Sequence, residues 1–201
     1  AIIHISSGAI VQANGELTNN AGSSLNNDGE LTLTGNVTNS QVMNNAGSGT
    51  LKLIGTSTQN ISGVSPLLVN HITFNNAGTS LTNSIKIYGE SKFINGIIVA
   101  SDANKPLSYA NTGSLSITYP PTKFSHVNGY VVKEGIGSFE YPVGNGTRYQ
   151  KVGVNLSANA SGMRVKYFGT DAGTGSFATI GTSSTPLIDY NSLEYWEIIP
   201  Q

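Results

Sequence analysis

The chain has 201 residues, including 24 glycines and no cysteine, and its formal net charge is −1. The near-zero charge gives no electrostatic reason to expect nucleic acid as a partner. No apolar run approaches the ~20 residues of a membrane-spanning helix, so no membrane insertion is expected, and the missing cysteines exclude disulfides and thiolate metal sites.

Asn, Ser, Thr and β-branched residues replace the missing charge, since only 10% of the residues are charged. Disordered chains are instead rich in charge and poor in β-branched residues. The composition therefore favours a protein of many short strands and tight turns, with a narrow apolar interior.

A short phrase recurs through the first half of the chain. Asn-Asn-Ala-Gly occurs three times, beginning at Asn19, Asn44 and Asn75, and each copy is followed within a few residues by a leucine. Gly-Glu-Leu-Thr occurs twice, beginning at Gly15 and Gly29. Imperfect repeats spaced by ~20–50 residues indicate a solenoid, in which each coil packs on the next.

Alternating apolar and polar residues predict the strands of these coils. Residues 31–33 read Leu-Thr-Leu, residues 51–53 Leu-Lys-Leu and residues 85–87 Ile-Lys-Ile. A period of two is typical of a half-buried strand, and Asn-Gly pairs such as those ending at Gly15 and Gly96 suit sharp corners. We predict an all-β chain whose amino-terminal part is a β-solenoid of about five irregular coils, with almost no helix.

The composition changes in the second half. Phe74 is the one aromatic residue before Tyr88, and all the others lie at Tyr88 or later. Longer apolar runs separated by Gly- and Ser-rich turns follow the Asn-Gly pair that ends at Gly129, a pattern typical of a small antiparallel β-sandwich. We predict a solenoid stalk over residues 1–127 and a sandwich module over residues 128–201. We expect this module to be incomplete at its carboxyl end, and to be completed by a longer parent protein or by another molecule.

Three stretches resemble a family of secreted repeat proteins of Bacteroidota. They are residues 49–63 (Gly-Thr-Leu-Lys-Leu-Ile-Gly-Thr-Ser-Thr-Gln-Asn-Ile-Ser-Gly), residues 72–98, which begin Ile-Thr-Phe-Asn-Asn-Ala-Gly, and residues 137–146 (Gly-Ser-Phe-Glu-Tyr-Pro-Val-Gly-Asn-Gly) with the later Glu-Tyr-Trp at 194–196. The resemblance implies a β-helical stalk joined to sandwich modules, export by the type IX system, and a role as an adhesin, surface layer or filament component. The family has no shared catalytic residues to carry over.

The titratable residues do not form a convincing catalytic or metal-binding pattern. His4, His71 and His126 are far apart in the sequence and lack ligand spacing, so no metal and no cofactor are expected. Glu16 and Glu30 occupy equivalent positions in consecutive repeats, and stacked carboxylates are one requirement of a polysaccharide-degrading β-helix enzyme. Two such glutamates more often form a solvated edge, and no Lys or Arg precedes Lys52 to join them, so we predict that the protein is not an enzyme.

These observations favour an extracellular structural or adhesive protein on a bacterial cell surface, acting as a stalk or filament subunit that assembles through open β edges. The expected partners are copies of itself or neighbouring domains of the same surface protein. The predicted assembly contacts lie in the first and last strands: Ile2, Ile3, Ile5, Tyr195, Trp196 and Ile198. The alternative is a glycan-binding adhesin module, whose platform would come from the tyrosines near the predicted joint: Tyr109, Tyr119, Tyr130, Tyr141 and Tyr149.

Overall fold

A computed structural model describes residues 1–157, 161–170 and 193–201, and in this part of the chain it contains 21 β-strands and no helix. In chain order the strands are β1 (Ile2–Ile5), β2 (Ile10–Ala13), β3 (Leu17–Asn19), β4 (Ser24–Asn27), β5 (Glu30–Leu33), β6 (Val37–Asn39), β7 (Thr50–Leu53), β8 (Gln59–Ser62), β9 (Leu67–Val69), β10 (His71–Leu81), β11 (Ile85–Ile87), β12 (Glu90–Ala100), β13 (Leu107–Tyr109), β14 (Ser114–Leu115), β15 (Val127–Gly129), β16 (Val131–Glu134), β17 (Gly137–Tyr141), β18 (Val143–Gly144), β19 (Val152–Leu156), β20 (Gly162–Phe168) and β21 (Tyr195–Pro200).

Parallel pairing stacks these strands into three faces of a β-solenoid. The first face contains β2, β5, β7, the beginnings of β10 and β12, and β14. The second contains β3, β6, β8, the ends of β10 and β12, β15 and β18. The third contains β1 and β4 and, after a break, β9, β11, β13 and β16.

The solenoid has about seven turns, more than the five predicted from the sequence. The prediction was wrong because the chain beyond the Asn-Gly pair at 128–129 still stacks: β15 pairs with β12, β16 with β13 and β18 with β15, all in parallel. The predicted boundary at residue 127 therefore falls at the first residue of β15. The aromatic residues that suggested a new domain here occupy the interior of the last coils, as Tyr109 and Tyr141 show.

Antiparallel pairing of named strands occurs at the end of the solenoid, around the last coils. Strand β20 pairs with β16, β21 pairs with β20, and β17 and β19 form a separate two-stranded sheet. The predicted sandwich also included residues 158–160 and 171–192, which lie outside the described residues.

In-register apolar side chains fill the interior. Leu33 lies directly below Leu53 and Leu53 below Phe74, and the ring of Phe74 lies 5.4 Å from that of Phe93. All four side chains are buried. Each coil therefore buries its narrow apolar face mainly against its two neighbours, as in other repeat proteins.

The third face is interrupted at the third coil. Residues 40–49 contain no strand, and β4 is left in a two-stranded sheet with β1. Met43 packs at this opening, beside a mostly apolar void of about 20 Å³ that Leu25 and Leu67 also line. The void is about large enough for one water molecule, so the stack is less tightly packed at the third coil than in the coils that follow it.

Gln59 is a buried amide that joins three successive coils. Its Oε1 accepts from the backbone N–H of Gly55 at 2.8 Å and from the side-chain amide of Asn76 at 2.9 Å. Its Nε2 donates to the carbonyl oxygens of Leu33 at 3.2 Å and Gly35 at 2.6 Å. The bonds to Gly55 and Gly35 satisfy backbone groups at the corner between the first and second faces, where no strand pairs with them, and the Leu33 carbonyl accepts from the Ile54 N–H as well.

A column of asparagines also links successive coils by hydrogen bonds, at the end of the second face. The Asn19 amide donates to Asn39 Oδ1 at 2.7 Å, and the Asn39 amide donates to the carbonyl oxygens of Ser65 and Pro66 at 3.0 and 2.9 Å. Gly63 continues the column above Asn39. Its φ is +110°, and a Cβ there would collide with the backbone carbonyl of Asn39.

Replacing Gln59 with leucine should lower the free energy of unfolding by about 3 kcal/mol or more. The leucine removes the hydrogen-bond partner of the Gly55 N–H and of the Gly35 carbonyl, at ~1–3 kcal/mol each, whereas the Leu33 carbonyl keeps its bond to the Ile54 N–H. Urea unfolding of both proteins measures the difference. Asn60→Leu is the matched control, because Asn60 is the exposed neighbour on the same strand; equal losses for the two variants would contradict the proposed role of Gln59.

Gly63→Ala should destabilise the protein by about 3 kcal/mol or more, since backbone strain at positive φ adds to a backbone collision. Gly15→Ala should be nearly neutral, because Gly15 has no atom within 4 Å of a built Cβ. Thermal unfolding of the two variants tests this difference. Similar melting temperatures would show that the corner at Gly63 can open to accept a side chain.

Candidate assembly surfaces

The first coil presents an unpaired edge. Strands β1, β2 and β3 each pair on one side, with β4, β5 and β6, and no described strand pairs with the other side. Ile2 is 83% exposed, and Ile3, Ile10 and Val11 are exposed as well. An edge with free backbone groups and apolar side chains favours pairing with another strand.

The hydrogen bonds of β1 show which backbone groups are free. The Ala1 and Ile5 carbonyl oxygens accept from the backbone N–H groups of Ser24 and Asp28 at 2.9 and 2.8 Å. In a parallel pair, alternate residues direct both backbone groups to the same neighbour. The N–H and C=O groups of Ile2 and His4 therefore point away from β4, to the open side.

Strand β21 forms the opposite edge of the third face. Gln201 N–H donates to the Gly162 carbonyl at 2.9 Å, which identifies the bonded positions of the antiparallel β20–β21 pair. Since bonded and non-bonded positions alternate, the backbone groups of Trp196 and Ile198 point away from β20. No described strand pairs with them.

Side-chain contacts hold β21 in position. The Trp196 indole N–H donates to the Gln150 carbonyl at 2.9 Å, and its ring lies 5.6 Å from that of Tyr167. On the outer face, Tyr195 stacks on Phe168 with ring centroids 4.6 Å apart. Strand β21 is therefore held in place by contacts within the chain.

The six predicted assembly contacts occupy these two edges in different environments. Ile2 and Ile3 are exposed on β1, and Ile198 on β21 is 43% exposed. Ile5 is only 3% exposed and contributes to the core. Tyr195 and Trp196 are partly buried. The structure thus separates the set into two groups at opposite ends of the third face.

The tyrosines near the predicted joint do not form a common platform. Tyr109 and Tyr141 are buried, and Tyr130 and Tyr149 are partly buried. Tyr119 is 44% exposed, with the Lys92 ammonium 5.8 Å from its ring centroid. Phe124, which the sequence did not single out, is more exposed, at 65%.

A groove lies between β14 and β17, where the first face ends. It has a volume of about 410 Å³ and is lined by Leu115, Ile117, Pro120 and Phe139, with polar residues at its rim. Sequence reasoning did not find this groove. Its one signal was the Pro-Pro pair at 120–121, which interrupts the strand pattern.

The titratable residues noted in the sequence are dispersed. Glu16 lies beside the Asn36 amide at 3.0 Å, whereas Glu30 is in register with Ile10 and pairs with Lys52 at 2.5 Å. The two glutamates therefore do not stack on each other, although equivalent positions in the repeat allowed it, because the coils place Glu16 at a corner and Glu30 on a strand. Among the described residues, no three His, Asp or Glu side chains are grouped to hold a metal ion.

His126 is buried between two backbone groups. Its Nδ1 lies 2.9 Å from the Thr122 carbonyl, and its Nε2 accepts from the Gly146 backbone N–H at 3.1 Å. This arrangement requires a neutral ring protonated at Nδ1. Burial lowers the pKa of His126, and the hydrogen bond to Thr122 opposes this only in part.

Stability should therefore fall on acidification. Because the pKa of His126 is lower in the folded chain than its unfolded value of ~6.5, the unfolded chain binds the extra proton first, and stability is lost as pH falls below ~6.5. Melting temperatures at pH 7.5 and 5.0 should differ more for the wild type than for His126→Gln. An equal drop in both proteins would exclude His126 as the source.

No protein-family model, curated protein or solved structure matches this chain. None of the described residues belongs to a helix long and apolar enough to cross a membrane. The solenoid and its two open edges are therefore the features from which a function can be inferred.

Proposed function

We propose that this chain is a non-enzymatic extracellular structural protein, a stalk or filament subunit that assembles through open β edges. The observation that carries the proposal is the pair of unpaired edges on β1 and β21, at opposite ends of one continuous stack of coils. Unprotected edges of this kind are usually blunted in monomeric proteins by charge, proline or a covering element.

The mechanical role follows from the way the coils are joined. Each inner coil pairs its strands with the coils on both sides, and buried amides such as Gln59 add hydrogen bonds across three coils. Pulling along the stack then loads many backbone hydrogen bonds between neighbours. Nearest-neighbour stabilisation of this kind suits a stalk.

We also propose that the carboxy-terminal part forms a small sandwich against the last coils. Strand β17 packs its Phe139 ring 5.0 Å from that of Tyr109, and the Tyr141 hydroxyl donates to the Met163 carbonyl at 3.2 Å. These contacts bring the β17–β19 pair against the β16–β20–β21 sheet. The resemblance to secreted Bacteroidota repeat proteins supports a cell-surface or extracellular location and a type IX export route.

A glycan-binding adhesin module is the second candidate. The exposed rings of Tyr119 and Phe124 favour it, since aromatic side chains with one free face suit contact with sugars. Lys92 and Lys123 lie over these rings at 5.8 and 4.7 Å, so a sugar would have to use the other face or displace a lysine.

Electron microscopy of the 201-residue chain tests the structural role. We expect ordered fibres at high protein concentration, with an axial repeat that matches one chain. Glycan arrays of the same material provide the contrasting readout. Strictly monomeric particles at every concentration would contradict the filament role, and glycan binding abolished by Tyr119→Ala and Phe124→Ala would favour the adhesin.

A further inference from the structure

We propose that copies of this chain join head to tail by parallel pairing of β21 in one copy with β1 of the next, which extends the third face through the junction. This inference rests on the proposed function, because it specifies how the open edges meet. The partner is a second copy of the same chain.

Strand direction permits the pairing. Strand β20 is antiparallel to β16, and β21 is antiparallel to β20, so β21 runs in the same direction as β16. Strand β1 runs in the direction common to the parallel strands of that face. When the next copy stacks along the same axis, β21 and β1 therefore meet in parallel, like the other neighbours in the solenoid.

The free backbone groups of the two edges are complementary. The backbone N–H and C=O groups of Trp196 and Ile198 point to the open side of β21 within the plane of the sheet, and those of Ile2 and His4 point to the open side of β1. In a parallel pair, a residue whose backbone groups point to the partner strand bonds to the two residues on either side of the residue directly opposite it. With Ile3 opposite Trp196, the Trp196 N–H would donate to the Ile2 carbonyl, and the His4 carbonyl would accept from the Ile198 N–H.

Side chains select this register. Ile198 is paired with buried Val165 and Ile3 with the interior-facing Leu25, so both point inward. The register places Ile3 on Trp196 and Ile5 on Ile198 in the interior. On the outer face it places His4, which lies 3.3 Å from Asp28, opposite Glu197, which lies 3.7 Å from Arg164.

Shifted registers are poorer. A shift of two residues toward the carboxyl end places Ile5 opposite Pro200, which has no N–H to donate, and His4 opposite Ile199. A shift in the other direction places Ile3 against Glu194, whose carboxylate already accepts from Tyr167 and Gln150. A shift by one residue would turn the apolar side chains outward.

The contact is heterologous, since it joins two different surfaces, and each added copy leaves one β1 and one β21 free. Such contacts give open filaments unless the rotation closes a ring. Among the described residues, the third face has eight strands and one loop level, from β1 to β21. At ~4.8 Å between strands, the axial repeat should be roughly 43 Å.

Disulfide trapping tests the register. Because the chain has no native cysteine, only the introduced cysteines can form cross-links. The double variant His4→Cys/Glu197→Cys should form a ladder of covalent multimers on mild oxidation. The matched control His4→Cys/Ile199→Cys moves one cysteine two residues along the strand, beyond the ~7 Å Cα separation that a disulfide can bridge. We expect about tenfold less multimer from the control.

A second variant tests the edge without introducing any cysteine. Ile198→Pro removes an N–H that faces the open side and leaves the bonds to β20 in place, so circular dichroism should be unchanged while fibres disappear. Fibres that form without cross-links between positions 4 and 197 of the double variant would overturn this pairing and leave the proposed function standing. Absence of both fibres and cross-links in the folded protein would overturn both.

Discussion

In-register stacking is the constraint on which this molecule depends, because interior apolar side chains of successive coils lie directly above one another, as Leu33, Leu53 and Phe74 do. For leucine and isoleucine columns the result is simple burial. At the corners, backbone groups have no strand to pair with, and buried amides supply the missing hydrogen bonds. The Gln59 side chain contacts groups from three coils. Asn39 likewise joins Asn19 in the preceding coil to the carbonyl of Ser65 in the following one. The high Asn content is thus part of how the coils are held together.

Among the described strands, the same stacking leaves β1 and β21 each paired on one side only. A coil is stabilised by both neighbours only when both are present, so the first coil exposes apolar side chains such as Ile2, which would otherwise be covered. At the other end, two successive antiparallel pairings return the chain to its original direction in β21. This double reversal makes the last strand compatible with another first strand. The interruption at residues 40–49 is a local weakness, since one level of the third face has a loop in place of a strand.

The repeat, the strand alternation and the all-β class could be predicted from the residue pattern. At 51–53 the alternation of Leu and Lys matches the burial of the two leucines and the partial exposure of Lys52, although at 31–33 Thr32 is buried as well. The number of coils could not be predicted. Tyr109 and Tyr141 fill interior positions that smaller residues occupy in the preceding coils, and this enrichment in aromatic residues suggested a separate domain. The position of Glu16 at a corner depends on how successive coils align, and a repeated sequence motif does not show that alignment. Among the six residues predicted as assembly contacts, Ile5 is buried because of its neighbours in space, which its position in the first strand does not reveal.

Native-state hydrogen exchange tests the central claim, that the coils form one stack stabilised by neighbours, most directly. Amides in β7, β10, β11 and β12, which have coils on both sides, should exchange slowest and at a common rate set by global unfolding, with protection declining toward β1. Loss of protection in the strands on both sides of Gln59 after its substitution would confirm that the amide couples them. Independent exchange rates in successive coils, or strongest protection in β1, would contradict the account.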